Sequence, residues 1–174
     1  MYNILQNLDT LYYLKIFGNI IIFDCIGTNI IKYKLGRDNI PENARWFFIH
    51  FIINGIIVYY STPLILTCLV KPNHCIIEPW TPDCYVIFWY CVMLHLYHSV
   101  FFTLNGDDII HHVGMIGICG SLAFYNKTML TTLSLFYLSG LPGFIDYFLL
   151  FLVKIDCFKS QTQKQIYNIL SNYI

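Results

Sequence analysis

CYVIFWYCVMLHLYHSVFFTLNG at 84–106, running directly into DDIIHH at 107–112, decides how this chain folds. The first stretch carries no Asp, Glu, Lys or Arg and exceeds the roughly 20 residues needed to cross a hydrocarbon core of about 30 Å. The second sets carboxylates against imidazoles. Asp107 and Asp108 precede His111 and His112 by one helical turn, so each carboxylate can reach an imidazole. Ionisable groups at membrane depth cost roughly 2.5–3.5 kcal/mol or more each, and a lipid-facing helix has no packing use for them. The segment therefore predicts a pair of membrane helices that handle something polar inside the bilayer.

The rest of the chain follows the same pattern. Only 11% of the residues are charged, against about 25% in soluble domains, so a membrane class is indicated. Trp46–Val70 lies uncharged between Arg45 and Lys71. The run 109–126 is shorter and draws on the acidic turn to complete its crossing, while 128–153 is long, broken by SGLPG at 139–143 and marked by Asp146. A first span at about 8–31 is interrupted by Lys15 and Asp24, which fall on opposite helix faces and are not expected to pair with each other. The expected fold is all-α: a polytopic transmembrane helical bundle of about five spans. Residues 1–44 supply the first span and a basic loop, 45–154 the membrane core, and 155–174 an amphipathic segment. Because only Asp107 and Asp108 separate their apolar runs, the third and fourth spans should be antiparallel neighbours.

Basic residues set the orientation. Lys32, Lys34, Arg37 and Arg45 follow the first span, and Lys154, Lys159 and Lys164 follow the fifth. The positive-inside rule places both groups, and with them the acidic turn, on the cytosolic side. The N-terminus lacks a basic n-region and a small-residue cleavage site, so the first span is expected to serve as the insertion signal. A formal net charge of zero and the lack of a basic cluster argue against a nucleic-acid partner.

Smaller features carry local expectations. Cys25, Cys68, Cys91 and Cys119 lie in apolar spans and read as small hydrophobes. Cys75 and Cys84 flank an outer loop where a disulfide can form. Pro63, after Ser61 and Thr62, predicts a kink whose freed backbone groups the hydroxyls satisfy. Ile166, Ile169, Leu170, Tyr173 and Ile174 recur at helical spacing, which suits a helix lying on the membrane, another packed helix, or a frayed tail.

Four of the six histidines fall between 95 and 112. Imidazole is a base near neutral pH, and a neighbouring carboxylate fixes its tautomer and raises its basicity. His111 and His112, with Asp107 and Asp108, are therefore the candidate catalytic set, although the two imidazoles diverge by about 100° on the helix. His95 and His98 share a face of the preceding span and, with Asp146, are candidates for binding substrate. A plainer reading stands beside each: interhelical hydrogen bonding for the histidines, and for Asp146, after Pro142 and Gly143, a place in the first turn of a restarted helix. His50 and His74 read as structural or solvated. No metal site is assigned.

Taken in order, these features resemble the TLC domain shared by ceramide synthases, translocating-chain-associating membrane proteins and small lipid-homeostasis membrane proteins. The resemblance covers about 45–154: the RWFFIH entry to a long span, an acidic turn before a helix-borne HH pair, and LSGLPGF some thirty residues later. It implies a lipid-handling protein of the endoplasmic reticulum or another endomembrane that binds, senses or modifies lipid, with a sphingoid base or acyl chain as partner. In the ceramide-synthase version His111 and His112 would assist N-acyl transfer from acyl-coenzyme A, a co-substrate, with no bound cofactor. The second acidic cluster of those enzymes is missing here, and the chain stops where further spans would begin, as in an abbreviated member. Rival readings are a haem protein, with His95 or His98 facing His111 or His112, a di-iron oxidoreductase, for which HLYH and HH are too few histidines, and a structural translocon-associated protein.

Overall fold

The computed structural model describes residues 2–36, 38, 40–73, 78–170 and 172. Among them the only regular structure besides helix is an isolated bridge between Pro79 and Thr128. The helices are α1 (Tyr2–Leu35), α2 (Glu42–Val70), α3 (Pro82–Phe101), α4 (Gly106–Asn126), α5 (Met129–Lys154) and α6 (Ser160–Leu170). Five are long and apolar enough to cross a membrane: α2 to α5 along their lengths and α1 over Leu11–Leu35. The chain is thus a multispan all-α membrane protein.

The third span stops earlier than its apolar run. Phe102 is extended and buried against Trp46, ending α3 at Phe101. Asn105 then starts α4 through a reciprocal cap: its side chain accepts from the Asp108 N–H, and the Asp108 carboxylate accepts from the Asn105 N–H, both at 3.0 Å. The acidic pair is therefore the first turn of α4, where it also complements the helix dipole. Antiparallel adjacency of α3 and α4 is observed, with Phe124 of α4 against Trp80, Phe88 and Trp89 at one end and histidine contacts at the other.

Two devices hold the bundle together. Asp24 of α1, buried, takes a bidentate contact from Arg45 of α2, one arm at 3.1 Å, and a 2.7 Å hydrogen bond from the Tyr97 hydroxyl of α3. A charge that weakens the first span in isolation thereby joins three helices. Between α2 and α5 the device is smallness. Gly140 lies against Ile57 and Val58, Gly143 against Asn54, and Gly55 against Phe144, so the backbones approach as membrane helices do at small residues. An apolar core of Ile20, Ile49, Ile53, Ile57, Ile87 and Leu94 fills the space between α1, α2 and α3.

Two helices are partly π-helical. In α4, Val113–Gly120 follows the histidine pair directly, and in α5, Phe136–Gly140 replaces the expected break, so the chain widens by local π turns and continues. Asp146 consequently lies beyond the first turn of the Leu141–Lys154 segment, which contains no acidic residue there. The capping reading is corrected. Around Pro63, Thr62 and Thr67 donate to the carbonyls of Val58 and Pro63, but the buried Ser61 hydroxyl finds no hydrogen-bond partner among the described residues.

The ends of the bundle sort as the basic residues demand. Ile31, Ala44, Phe48, Phe151 and Ile155 form one cluster, and Glu42 accepts from the Thr103 N–H at 2.6 Å. The α1–α2 loop, the α3–α4 linker and the chain after α5 therefore share one end. Maleimide that cannot cross membranes is expected to miss the exposed free thiol of Cys157 in intact cells and to label it after permeabilisation. Labelling in intact cells would reverse the orientation.

At the opposite end Trp80 bonds the Lys127 and Thr128 carbonyls. Cys84 is a buried free thiol there, so it does not pair with Cys75, which lies outside the described residues, as do His74 and Arg37. Cys68 is disulfide-bonded, not a bare small hydrophobe. In α6 the buried residue is Gln163, while Ile169 is exposed. Gln163 bonds Asp146 of α5, with Ile166 and Leu170 half-buried beside it and Gln165 and Asn168 exposed; Tyr173 and Ile174 fall outside the described residues.

Candidate functional site

Five histidines converge from three helices on a cavity of about 730 Å³: His50 of α2, His95 and His98 of α3, and His111 and His112 of α4. Glu42, Asn43, Asp108 and Tyr147 add to its polar lining, and the presence of Pro41, Thr103 and Asn105 places it at the basic end. The sequence builds it in steps of one turn. Trp46 and His50, four apart, face the same way from α2, and His95 and His98 meet them from α3. The short linker then folds α4 back so that its first two turns return to α3.

Local hydrogen bonds orient the rings. His50 Nδ1 donates to the Trp46 carbonyl at 2.7 Å and His95 Nδ1 to the Cys91 carbonyl at 2.8 Å. A carbonyl can only accept, so each ring keeps its proton on Nδ1 and its lone pair on Nε2. The Ser99 hydroxyl donates to the His95 carbonyl at 2.9 Å, and its oxygen therefore accepts from His112 Nδ1 at 3.1 Å. His112 too is left with a bare Nε2. His95 Nε2 meets His111 Nε2 at 3.2 Å.

Stacking makes up the inner wall. The ring of His98 lies 4.2 Å from Trp46 and 4.3 Å from His50, and Tyr147 stands 4.4 Å from His50. His98 is 1% exposed, and among the described residues neither of its ring nitrogens has a hydrogen-bond partner. A buried polar group without a partner costs roughly 1–3 kcal/mol, so the ring is held there against its own solvation.

Of the sequence candidates, His95, His98, His111, His112 and Asp108 line this cavity and Asp107 does not. The carboxylate-to-imidazole pairing is not how α4 is built. Asp108 spends its oxygen on the Asn105 cap, while His111 and His112 turn to His95 and Ser99 on α3. Asp146 stands apart, accepting from Gln163 at 3.1 Å beside a cavity of about 270 Å³ between α5 and α6. His50 and Trp46 were missed. Their signal was the four-residue spacing within RWFFIH, which puts an aromatic face and an imidazole on one side of α2.

An apolar crevice of about 370 Å³ lies between α3, α4 and α5, lined by Phe88, Cys91, Met115, Ile116, Cys119 and Leu135 among others. It exists because α4 stands off the bundle, with no buried residue from Gly106 to Asn126. Cys91 is one turn from His95, and Ile116 one turn from His112. The crevice therefore begins where the histidines end. No family model, no curated protein and no solved structure matches this chain.

Proposed function

We propose that this multispan membrane protein, of TLC type, binds a membrane lipid with its polar head among the histidines and an acyl or sphingoid chain in the adjoining crevice. The observation that supports the reading is the abutment of two unlike cavities along α3 and α4, polar toward the basic end and apolar toward mid-span. An amphiphile has that same division. Imidazoles and the indole of Trp46 suit a polar head, because they offer several hydrogen-bonding groups on rigid rings. Phe88, Met115 and Leu135 offer the chain packing that open bilayer does not.

Lipid extraction and mass spectrometry of the purified protein test this. Wild type should carry one enriched lipid relative to its host membrane. Ile116→Trp, which fills the crevice below His112, should lower the retained lipid about tenfold or more, whereas Leu66→Trp on the outer face of α2 should not. A wild-type lipid profile equal to that of the membrane, or equal retention by both variants, would overturn the reading.

A further inference from the structure

We infer that the histidine cavity is also a transition-metal site, with His95 and His111 as two imidazole ligands and His112 as the third. The inference goes beyond lipid binding and does not depend on it.

The pair of Nε2 atoms carries the argument. Two nitrogens bound to one tetrahedral metal, each about 2.0–2.1 Å from it, lie about 3.3 Å apart. His95 and His111 present theirs 3.2 Å apart. A porphyrin between two axial imidazoles would hold those atoms on opposite faces and about 4 Å apart, so the spacing fits a shared ion and not a haem.

The outer partners fit as well. Metal-binding histidines usually donate their second ring N–H to a carbonyl or another acceptor, which fixes the tautomer and aims the lone pair. His95 does this through the Cys91 carbonyl, and His112 through the Ser99 hydroxyl. Those two rings lie 4.9 Å apart, centre to centre. Among the described residues no three donors already form a cage. A shift of the half-buried His112 ring that keeps Nδ1 on Ser99 and turns the bare Nε2 inward would bring in the third.

A separate observation marks the cavity as one that takes a ligand. His98, 1% exposed and with both nitrogens unpartnered among the described residues, lines the same space and lies 5.8 Å from His112 between ring centres. An all-imidazole donor set without thiolate selects zinc, copper, nickel or iron over magnesium and calcium. Three imidazoles would leave a fourth tetrahedral position open, as at zinc sites that bind water or substrate.

The test uses the full chain in detergent, purified on a tag without histidine, stripped with chelator and titrated with Zn²⁺ alone. Bound metal is read by elemental analysis and affinity by calorimetry. Wild type should take up one equivalent, and His95→Ala and His111→Ala should each weaken binding 10-fold to 100-fold. Ser99→Ala, which removes only the outer partner of His112, should weaken it about 10-fold. Leu66→Ala, on the outer face of α2, should bind as wild type does. Because His111 is exposed, its replacement leaves the fold intact, which a matching thermal transition verifies. Uptake below a fifth of an equivalent by wild type, or equal affinity in wild type, His95→Ala and His111→Ala, would overturn the site and reduce the pair to an imidazole–imidazole hydrogen bond. Lipid retention in the stripped protein is scored separately, so loss of metal and loss of lipid are distinguishable.

Discussion

Arg45→Met is expected to destabilise the bundle by about 3 kcal/mol or more, since breaking a buried ion pair from one side leaves an uncompensated charge. The charge is Asp24. It is 5% exposed among α1, α2 and α3 and would keep only the Tyr97 hydroxyl as partner. The double replacement Asp24→Asn with Arg45→Met should recover most of the loss, because the amide needs no counter-charge and can still accept from Tyr97. Tyr97→Phe should cost less, about 1–2 kcal/mol, as the ion pair survives it. Thermal unfolding of the detergent-solubilised protein ranks the three variants. If the double variant proved as unstable as Arg45→Met, packing of the arginine stem would be the true cause.

Gly27→Ala should be the most damaging of the small-to-slightly-larger changes. An added Cβ would collide with Phe48 Cδ1 and stand 2.8 Å from its Cγ. Phe48 has little room to yield, since it is buried in a cluster with Ile31 and Ile155 and its ring lies 5.1 Å from that of Phe151. Overpacking of this kind costs about 1–3 kcal/mol, and here it would also prise α1 from α2 next to the Asp24–Arg45 contact. Gly18→Ala is the control. Nothing lies within 4 Å of its new Cβ, so alanine's helix propensity should leave stability unchanged or raise it by up to about 1 kcal/mol. Similar melting temperatures for the two alanine variants would show that Phe48 can move aside after all.

Hydrophobic run length made the five spans legible, because a bilayer admits few alternatives to a long apolar helix. It could not show where α3 ends. Phe102 is as apolar as Phe101, and it is the tertiary packing of its ring, against Trp46, Tyr97 and Arg45, that accompanies the turn. The histidine cluster on α3 and α4 was legible from the cost of placing such groups in a membrane. Its partners were not, since periodicity within one helix relates Asp108 to His112 but says nothing of Ser99 or His95 across the gap. Asp146 shows the reverse error: SGLPG suggested a break, the helix passed through it on a π turn, and the carboxylate faced α6 instead of the histidines. Asp24 and Arg45, twenty-one residues apart in sequence, offered no local signal that they would meet.

The π-helical stretch Val113–Gly120 also gives α4 something a regular helix lacks, an azimuthal offset between its two halves. A single residue in an α-helix accounts for about 100° of rotation. A π turn takes up one residue more than an α turn, so losing one residue from this stretch, for instance Gly117, would let it relax to an α-helix with His111 and His112 facing as they do, whereas relaxing to an α-helix at full length would turn them by about that angle relative to Phe124. With Phe124 still seated on Phe88 and Trp89, the imidazoles would swing toward lipid. The direction in which the histidines point is thus set by how this stretch is wound, with every residue that touches the cavity left as it is.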